Sequence, residues 1–342
     1  MLYQANGYLN IDYIISLGLP FNFIVGGRGT GKTYTTLEYI VDNDIEFMLM
    51  RRTQSQADTI NKPQFSPMKP LNRDKGYNIV TKQISKYNSA FYHGIKEGED
   101  ITPTGAPIGY TCALSTIANM RGFDASDVKI LVYDEFIPEK HERPIKHEAQ
   151  AFFNAYETIN RNRELKGEKP LQVLALANSN DISNPIFLEL GLVKIADKME
   201  RNKNEIYIDK DRGIGLFSLK KSPVSAIKKD TALYRATKDS TYSSMAISNV
   251  FNKTIGGTIT NRNIKEYKAI VSVGEICIYR HKSDNRYYIS THKSGAYKTF
   301  TSGAIDLERF KKEYFFIWTA YMYNRVEFEE ILCEILLTKY FE

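Results

Sequence analysis

Eight residues near the start of the chain, Gly26-Gly27-Arg28-Gly29-Thr30-Gly31-Lys32-Thr33, constrain its fold more than any other feature. They fit the pattern G-x-x-x-x-G-K-[ST] and lie between a short β-type run, Phe21–Val25, and a helical pattern over Tyr34–Val41. Glycines let a loop turn its backbone N–H groups towards phosphates, and the helix that follows presents its positive end to them. The pattern predicts a loop that binds ATP, in which Lys32 reaches the β- and γ-phosphates and Thr33 supplies a hydroxyl to Mg²⁺.

Two acidic residues follow an apolar strand pattern further along the chain. The run Ile130–Tyr133 leads directly into Asp134 and Glu135. Because parallel α/β sheets bind ligands at the carboxyl ends of their strands, we expect this pair beside the phosphate loop. We expect Asp134 to hold Mg²⁺ through water and Glu135 to orient and deprotonate the attacking water. A solvated strand end is the structural alternative, but the order Asp-Glu favours hydrolytic motors over P-loop kinases.

A GTPase is a weaker interpretation. Asn202-Lys203-Asn204-Glu205 is similar to the guanine-reading pattern N-K-x-D, but its last residue is Glu and no apolar strand precedes it. We therefore interpret this segment as surface.

The first half of the chain alternates short apolar runs with helical stretches, which is typical of an α/β fold. The runs are nearly continuous, as in strands that are covered on both faces of a mainly parallel sheet. We predict an ATPase domain over residues 1–206, with a long helix over Glu148–Arg163. The predicted strands are Phe21–Val25, Glu46–Met50, Asn78–Lys82, Lys129–Tyr133 and Leu171–Ala177.

The pattern changes after residue 206. Residues 207–226 contain Gly213, Gly215 and Pro223 and little periodicity, so we predict a linker or connecting subdomain there. Residues 227–342 are predicted to form a smaller α+β domain that ends in one long amphipathic helix, Asp306 to about Lys339. Its predicted strands are Lys268–Val273, Glu275–His281 and Arg286–Thr291; its helical aromatic residues, expected in the core or at a subunit interface, are Tyr314, Phe315, Phe316, Trp318, Tyr321 and Tyr323.

The two halves of the chain differ in net charge. Residues 1–206 carry 24 Lys and Arg against 25 Asp and Glu, a net charge of −1, and residues 207–342 carry 22 against 15, a net charge of +7. The positive charge of the second half is compatible with binding to a polyanion. The same charge is equally consistent with a surface that is simply solvated.

The three cysteines, Cys112, Cys277 and Cys333, have no metal-ligand spacing and suit a reducing compartment. With no apolar run of membrane-spanning length and no secretory pattern at the N-terminus, we expect a soluble, cytosolic protein without a membrane partner.

Further sequence motifs narrow the class of P-loop protein that the chain resembles. The stretch Ser115–Phe123 contains Asn119-Met120-Arg121-Gly122 and runs through Asp127 into the strand that ends in Asp134-Glu135. This arrangement resembles the large terminase subunits of tailed bacteriophages. Together with the early GGRGTGKT loop, the Glu-Phe-Met-Leu-Met-Arg-Arg strand and the basic C-terminal half, it most resembles the phi29-type DNA-packaging ATPases. The resemblance covers most of residues 20–180; beyond residue 207 it depends only on size, charge and position.

The resemblance implies an ASCE-type P-loop motor that uses ATP and Mg²⁺ to drive double-stranded DNA into a phage prohead. It implies a homo-oligomeric ring, commonly a pentamer, docked on the portal in the host cytoplasm and absent from the mature virion. A packaging RNA is a further partner of the phi29 group, and its use here stays open. Gly26–Thr33 then corresponds to Walker A and Asp134-Glu135 to Walker B, while Asn178 falls where the family senses the γ-phosphate.

The resemblance also implies an arginine supplied by a neighbouring subunit. Arg161 and Arg163 are the candidates, with a slight preference for Arg161; the alternative is that they complement a helix C-terminus. Arg28 is a candidate for a role in its own subunit. Arg51 or Arg52 is a candidate for restraining Glu135 until DNA engages; the alternative for these arginines is a pair with a structural carboxylate.

Terminases usually carry an RNase H-like nuclease domain in the C-terminal half, whose two metals need clustered carboxylates. Between residues 240 and 305 only Glu266, Glu275 and Asp284 are acidic, and the first predicted strand contains none of them. We therefore expect a vestigial nuclease fold without nuclease activity that contacts DNA phosphates without reading sequence. The candidate contacts are Lys253, Arg262, Lys265, Lys268, Arg280, Lys282, Arg286, Lys293 and Lys298.

Two alternative functions stay open at this point. One is another oligomeric P-loop translocase or helicase. The other is a nucleic-acid-binding assembly protein that uses ATP only as a structural ligand. Phosphate release with and without DNA, followed by an assay for strand separation, distinguishes the three hypotheses.

Overall fold

The computed structural model describes residues 1–98, 100–120, 123–138, 142, 145–178, 181–228, 231–237, 257–295 and 297–341. Within them the chain is organised around two β-sheets. Each sheet belongs to a separate unit, Met1–Leu190 with Lys198–Asn252 and Gly191–Asp197 with Lys253–Glu342.

The first unit contains the larger sheet. Its strands are β1 Phe21–Val25, β2 Phe47–Arg51, β3 Ile79–Gln83, β4 Ser89–Glu97, β5 Asp100–Ala113, β6 Ile130–Asp134, β7 Gln172–Ala177, β8 Ile206–Asp209 and β9 Ile214–Ser218. The helices between residues 1 and 237 are α1 Ile11–Ser16, α2 Lys32–Asp42, α3 Gln54–Ile60, α4 Lys69–Lys75, α5 Glu148–Asn160, α6 Pro185–Glu189, α7 Val193–Arg201, α8 Pro223–Lys228 and α9 Ala232–Ala236.

The strand order within the described residues is β3-β4-β5-β2-β6-β7-β1-β9-β8. Strands β5, β2, β6, β7, β1 and β9 run parallel, and the edges at β3-β4 and β8 are antiparallel. One strand, β7, therefore separates the strand before the phosphate loop from the strand that carries the acid pair. This order gives a mainly parallel sheet and agrees with the α/β fold expected from the sequence.

The central strands are buried on both faces, as their apolar runs predict. All five residues of β6 and the last five of β7 are buried. Phe23 of β1 is fully buried and packs its ring against Phe136 and Phe187. The five strands predicted for this half are confirmed within two residues at each end. The hairpin β4-β5 was not predicted, because its Thr-, Gly- and Pro-containing sequence lacks an apolar run.

The structure differs from the predicted linker over residues 207–226. Strand β9 pairs in parallel with β1, with Phe21 opposite Ile214, so this segment completes the sheet of the first unit. The glycines that suggested a linker have local roles instead. Gly213 has φ +65° in the turn between β8 and β9, and a Cβ on Gly215 would lie 2.6 Å from the ring of Phe217.

The second unit contains strands β10 Thr258–Ile259, β11 Tyr267–Val273, β12 Ile276–His281, β13 Tyr287–Ser290, β14 Lys298–Phe300 and β15 Val326–Phe328, with helices α10 Ala304–Met322 and α11 Ile331–Phe341. The described strands have the order β10-β15-β13-β12-β11-β14. Strands β11, β12 and β13 form an antiparallel meander, and β14 runs parallel to β11. The three strands predicted here are confirmed.

The single C-terminal helix predicted from Asp306 to Lys339 is wrong. Helix α10 ends before Asn324, which has φ +56°, and β15 follows before α11 begins. Strand β15 pairs with β13, so its backbone bonds to the sheet and cannot continue a helix. Among the aromatic residues of α10, Tyr314 packs on Phe310 in the core, whereas Phe315 is 59% exposed.

A membrane-spanning helix would need a long, apolar stretch. None of the helices in the described part of the chain has the length and hydrophobicity to cross a bilayer.

Truncation tests whether β8 and β9 belong to the first unit. A chain that ends at residue 206 should aggregate or lose its cooperative melting transition, because the edge of β1 is left without its partner β9. A chain that ends at residue 237 keeps both strands and is the matched control. Circular dichroism melting curves compare the two; equal melting temperatures would restore the linker interpretation.

Candidate active site

The predicted phosphate loop joins the end of β1 to the start of α2. Gly29 and Gly31 have φ +76° and +82°, a region that side chains rarely adopt. A Cβ on Gly26 would lie 2.6 Å from Cβ of Leu219, so this position also needs a glycine. Helix α2 starts at Lys32 and directs its N-terminal N–H groups into the loop. The loop has the backbone that a phosphate cradle requires.

The ammonium group of Lys32 is directed back over this loop. Its Nζ donates to the carbonyl oxygens of Gly26 and Gly27 at 2.7 and 2.9 Å and lies 3.3 Å from Oγ1 of Thr30. The side chain is buried, so solvent screens its charge only weakly where it lies over the loop. A phosphate oxygen placed there would replace neutral carbonyl partners with an anionic one.

Thr33 and Asp134 come together as the sequence predicted. Oγ1 of Thr33 lies 3.1 and 3.2 Å from the two carboxylate oxygens of Asp134. Asp134 is 4% exposed. A hydroxyl and a carboxylate are hard oxygen ligands, and phosphates and water complete the set that Mg²⁺ prefers. The donor set therefore fits Mg²⁺, with Thr33 and Asp134 as the residues that would hold it.

Glu135 lies where β6 ends, in an unusual backbone conformation. Its φ of +59° is left-handed, which turns its side chain away from the alternation of the strand. The Glu135 side chain is 42% exposed, whereas that of Asp134 is 6% exposed. Two neighbouring acids thus occupy different environments, one inside the site and one at its opening.

Arg51, the last residue of β2, connects the two acids. Its Nη2 lies 3.0 Å from Oδ2 of Asp134, and its Nη1 lies 3.0 Å from Oε2 of Glu135. The Arg51 side chain is 12% exposed, so solvent screens these pairs only partly. Arg51 therefore occupies one carboxylate oxygen of each acid.

Asn178 follows the end of β7, and its side chain also contacts Glu135. Its Nδ2 donates to Oε1 of Glu135 at 3.3 Å. Neighbouring strands β2, β6, β7 and β1 thus contribute Arg51, the acid pair, Asn178 and the phosphate loop along one edge of the sheet.

Arg52 is directed elsewhere, so of these two arginines it is Arg51 that contacts Glu135. The guanidinium of Arg52 is 1% exposed and forms two parallel bonds to Glu148, at 2.7 and 3.0 Å. It also lies 3.2 Å from Glu142, and the hydroxyl of Tyr133 donates to Glu148 at 3.3 Å. Arg52 therefore joins β2 to the first turn of α5. The structure does not fit the predicted alternative that Arg52 restrains Glu135.

The two candidates for a trans arginine differ in exposure. Arg163 is 4% exposed and donates to the carbonyl oxygens of Ala125 and Ser126, at 3.1 and 2.8 Å. Reaching another subunit would require breaking these buried bonds, so Arg163 does not fit the role. Arg161 has a 38% exposed side chain that pairs with Asp124 at 2.9 Å. Arg28 is exposed at the tip of the phosphate loop.

Part of the terminase-like motif cannot be placed. Arg121 and Gly122 of this motif lie outside the described residues, and so does Lys253, one of the candidate DNA contacts. Asn119 lies in the 3-10 segment Leu114–Met120, and Asp127 is exposed before β6.

Some of the basic residues predicted to contact DNA are paired with carboxylates, whereas others lie opposite or beside like charges. Arg262 and Lys298 form ion pairs with Glu327 and Glu313. Lys268 on β11 lies directly opposite Arg280 on β12, a like-charge pair that is unfavourable without an anion. Beside it is a cavity of about 590 Å³. Its lining includes Lys265, Lys268, Lys282 and His292 and, among the described residues, no carboxylate.

Three side chains in the second unit are close enough together to hold a metal ion, but the two glutamates among them already contact other protein groups. The ligand atoms of Glu329, Glu330 and Cys333 lie within 4.8 Å of one another. Glu329 already accepts hydrogen bonds from Ser290, and Glu330 pairs with Lys194 at 2.7 Å. Burial raises the pKa of the Cys333 thiol to about 12, which keeps it protonated and a poor ligand at neutral pH.

One neighbour of the phosphate loop was missed by sequence reasoning. The backbone N–H of Leu9 donates to the carbonyl oxygen of Thr30 at 3.0 Å, so residues 1–10 lie against the loop. No motif marks this segment, and only its buried apolar residues, such as Leu2 and Leu9, indicate that it packs on the domain.

Comparison with known proteins identifies related chains. The family model described as podovirus DNA encapsidation protein (Gp16) matches residues 3–302. The DNA packaging protein of Bacillus phage phi29 is 26% identical over 196 residues, 56% of this chain and 52% of the relative. That of Bacillus phage B103 is 23% identical over 201 residues, 57% and 56% of the two chains. The chain spans about half the length of the curated relatives it matches.

Solved structures show the same fold. A chain of the bacteriophage phi29 viral genome packaging motor assembly superposes with a TM-score of 0.67 at 20% identity, covering 98% of this chain and 99% of that one. A chain of the Phi-28 gp11 DNA packaging motor gives a TM-score of 0.62 at 20% identity, with 98% of both chains covered. At this identity the likeness supports the fold alone.

Replacing Arg52 tests whether this residue stabilises the fold and does not restrain Glu135. Arg52→Met should lower the free energy of unfolding by about 3–5 kcal/mol, because Glu148 is left buried without its partner. Arg73→Met, which removes an exposed partner of Asp74, is the matched control and should change the melting temperature little. Differential scanning calorimetry gives the comparison. Normal stability combined with a faster DNA-free ATPase would instead return Arg52 to the restraining role.

Proposed function

Since the chain belongs to the podovirus DNA encapsidation protein (Gp16) family, we propose that it hydrolyses ATP to drive double-stranded DNA into a phage prohead. Family membership confirms the resemblance to phi29-type packaging ATPases that the sequence motifs indicated. The proposal depends on one observation above all: Lys32 and Thr33 meet Asp134 and Glu135 at the same sheet edge, with Thr33 and Asp134 3.1 Å apart.

ATP would bind with its phosphates in the loop. The inward N–H groups and the N-terminus of α2 stabilise the phosphate charge, and Lys32 exchanges the carbonyl oxygens of Gly26 and Gly27 for β- and γ-phosphate oxygens. Thr33 and Asp134 would hold Mg²⁺, which neutralises phosphate charge when bound. Arg28, at the loop tip, is a candidate for a further phosphate contact in its own subunit.

Glu135 would act as the general base. Its carboxylate would take a proton from water once Oε2 is released from Arg51, which occupies that oxygen in the structure. Asn178, already bonded to Glu135, is placed to orient the same water or a γ-phosphate oxygen. Arg51 is therefore the proposed restraint, and DNA engagement is the proposed event that releases it.

The ring and its partners belong to the same proposal. We propose a homo-oligomer, a pentamer by analogy with the family, in which Arg161 completes the active site of a neighbouring subunit. We also propose that the ring binds the portal of the prohead in the host cytoplasm and is absent from the mature virion. Whether a packaging RNA takes part stays open. The exposure of Arg161 supports its assignment over the buried Arg163.

The second unit is the proposed nucleic-acid-binding domain. Its meander β11-β12-β13, with β14 parallel to β11, is consistent with an RNase H-like ancestry. Strand β11 has no acidic residue to start a two-metal nuclease site. The facing cations Lys268 and Arg280, and the basic cavity beside them, suit phosphate contacts that do not depend on sequence.

Replacing the proposed base tests hydrolysis. Glu135→Gln should bind ATP normally but release phosphate roughly 10²- to 10⁴-fold more slowly, because the amide cannot take a proton from water. Glu168→Gln, on an exposed loop of the same unit, is the control and should behave as wild type. Phosphate release is measured with and without double-stranded DNA, and DNA filling of proheads is measured in parallel.

The outcomes separate the alternative functions. DNA-stimulated hydrolysis with filled proheads and no strand separation supports the packaging motor. Strand separation favours a helicase. ATP binding with no hydrolysis in the wild type favours an assembly protein that uses ATP as a structural ligand.

Mixed rings test whether Arg161 acts between subunits. Arg161→Ala and Glu135→Gln chains should each be nearly inactive, with a loss of roughly 10³- to 10⁵-fold for the arginine. A mixture should recover ATPase activity, because some interfaces then combine an intact Glu135 with an intact Arg161. Lys166→Ala, an exposed cation nearby, is the control. A mixture no more active than its separate components would place Arg161 within its own subunit or outside the mechanism.

A further inference from the structure

The N-terminal segment places an aromatic ring directly against the phosphate loop. A Cβ on Gly31 would lie 2.7 Å from Cγ of Tyr8, so the ring contacts the backbone at the start of α2. The next residue, Leu9, bonds to Thr30 of the loop. Tyr8 itself is only half-buried, so part of its ring stays accessible beside the loop.

The segment is held in this position from its other side. The hydroxyl of Tyr3 donates to Glu205, which also accepts from the backbone N–H of Lys221 at 2.9 Å. The hydroxyl of Ser222 donates to the carbonyl oxygen of Gly7 at 3.2 Å. These contacts come from residues around β8 and β9, which belong to the same unit. The Tyr8 ring is therefore presented by a fixed backbone.

A second ring extends this surface. Tyr34 follows Thr33 in the first turn of α2, and its ring centroid lies 6.3 Å from that of Tyr8, with an angle of 60° between the planes. Phosphates bound in the loop lie at the N-terminus of α2. The nucleoside attached to them must therefore extend away from the loop past the first turn of this helix. Gly31 lets the Tyr8 ring lie directly against the loop, because it has no side chain that would separate them.

We propose that Tyr8 forms the wall against which the nucleobase of ATP lies, with Tyr34 supporting it at the edge. The ligand class is a nucleoside triphosphate, as opposed to a bare polyphosphate. An aromatic face attracts any base through stacking, so this contact adds affinity with little discrimination between bases. The inference deepens the proposed function and rests on it, since it requires that the loop binds ATP.

Two probes separate contact with the base from contact with the phosphates. ATPγS carries a base, and inorganic tripolyphosphate does not. In the full chain, Tyr8→Leu should weaken ATPγS binding about tenfold and leave tripolyphosphate within about twofold, because only stacking is lost. Tyr8→Phe keeps the ring and should bind both as wild type does. Tyr207→Ala, a half-buried tyrosine on edge strand β8, is the matched control. Calorimetric titration gives the affinities.

A tryptophan at the same position gives a direct signal. The chain has a single tryptophan, Trp318, which lies in the second unit. In Tyr8→Trp, ATPγS should quench the added fluorescence, whereas tripolyphosphate should not. This measurement keeps the inference testable if Tyr8→Leu is too unstable to titrate.

Each result decides between specific interpretations. Equal weakening of both ligands by Tyr8→Leu would mean that Tyr8 only supports the loop, which overturns the inference. Unchanged ATPγS affinity, or no selective quenching in Tyr8→Trp, overturns it as well and leaves the proposed function intact. If wild-type protein binds neither probe, or Lys32→Ala binds ATPγS as tightly as wild type, the proposed function fails and the inference fails with it.

Discussion

The hydroxyl of Thr33 and the carboxylate of Asp134 meet at 3.1 and 3.2 Å, and the rest of the site depends on this contact. The two residues are far apart in sequence and come together because β1 and β6 run parallel with only β7 between them. Parallel strands bring their carboxyl ends to one edge, where a nucleotide has access to all of them. A sheet with either strand reversed would separate the phosphate loop from the acids.

Strand order also determines which side chains join this pair. Arg51 ends β2, next to the acid-bearing strand on one side, and Asn178 follows β7 on the other. Glu135 is therefore held by a cation and an amide at once, through its two carboxylate oxygens. Both carboxylate oxygens of the proposed base are thus occupied by protein partners. In the proposed mechanism, turnover would require Glu135 to exchange these partners for water, and DNA engagement is the proposed trigger.

Consecutive residues at the end of β2 serve different purposes. Arg51 is the last residue of the strand and Arg52 follows it, and the two side chains have different partners. Arg51 reaches the acids, whereas Arg52 forms a buried bidentate pair with Glu148 on α5, the helix that precedes Arg161. The end of β2 is thus tied both to the hydrolytic acids and to the element that presents the proposed trans arginine. This connection gives the proposed motor a physical link between the state of the site and its neighbour.

The sequence alone determined the phosphate loop, the acid pair and most strands of the first sheet. These features are local: glycine conformations, an N-terminal helix dipole and apolar runs buried on both faces need few distant contacts. Only the tertiary structure decided which arginine faces Glu135, that Arg163 is buried, that residues 206–218 complete the sheet, and that Tyr8 lies on Gly31. Each of these outcomes depends on which distant segment supplies a partner, and neither residue type nor spacing carries that information. The interrupted C-terminal helix has the same cause, since Val326–Phe328 has its backbone partners in β13 and not in its own turn.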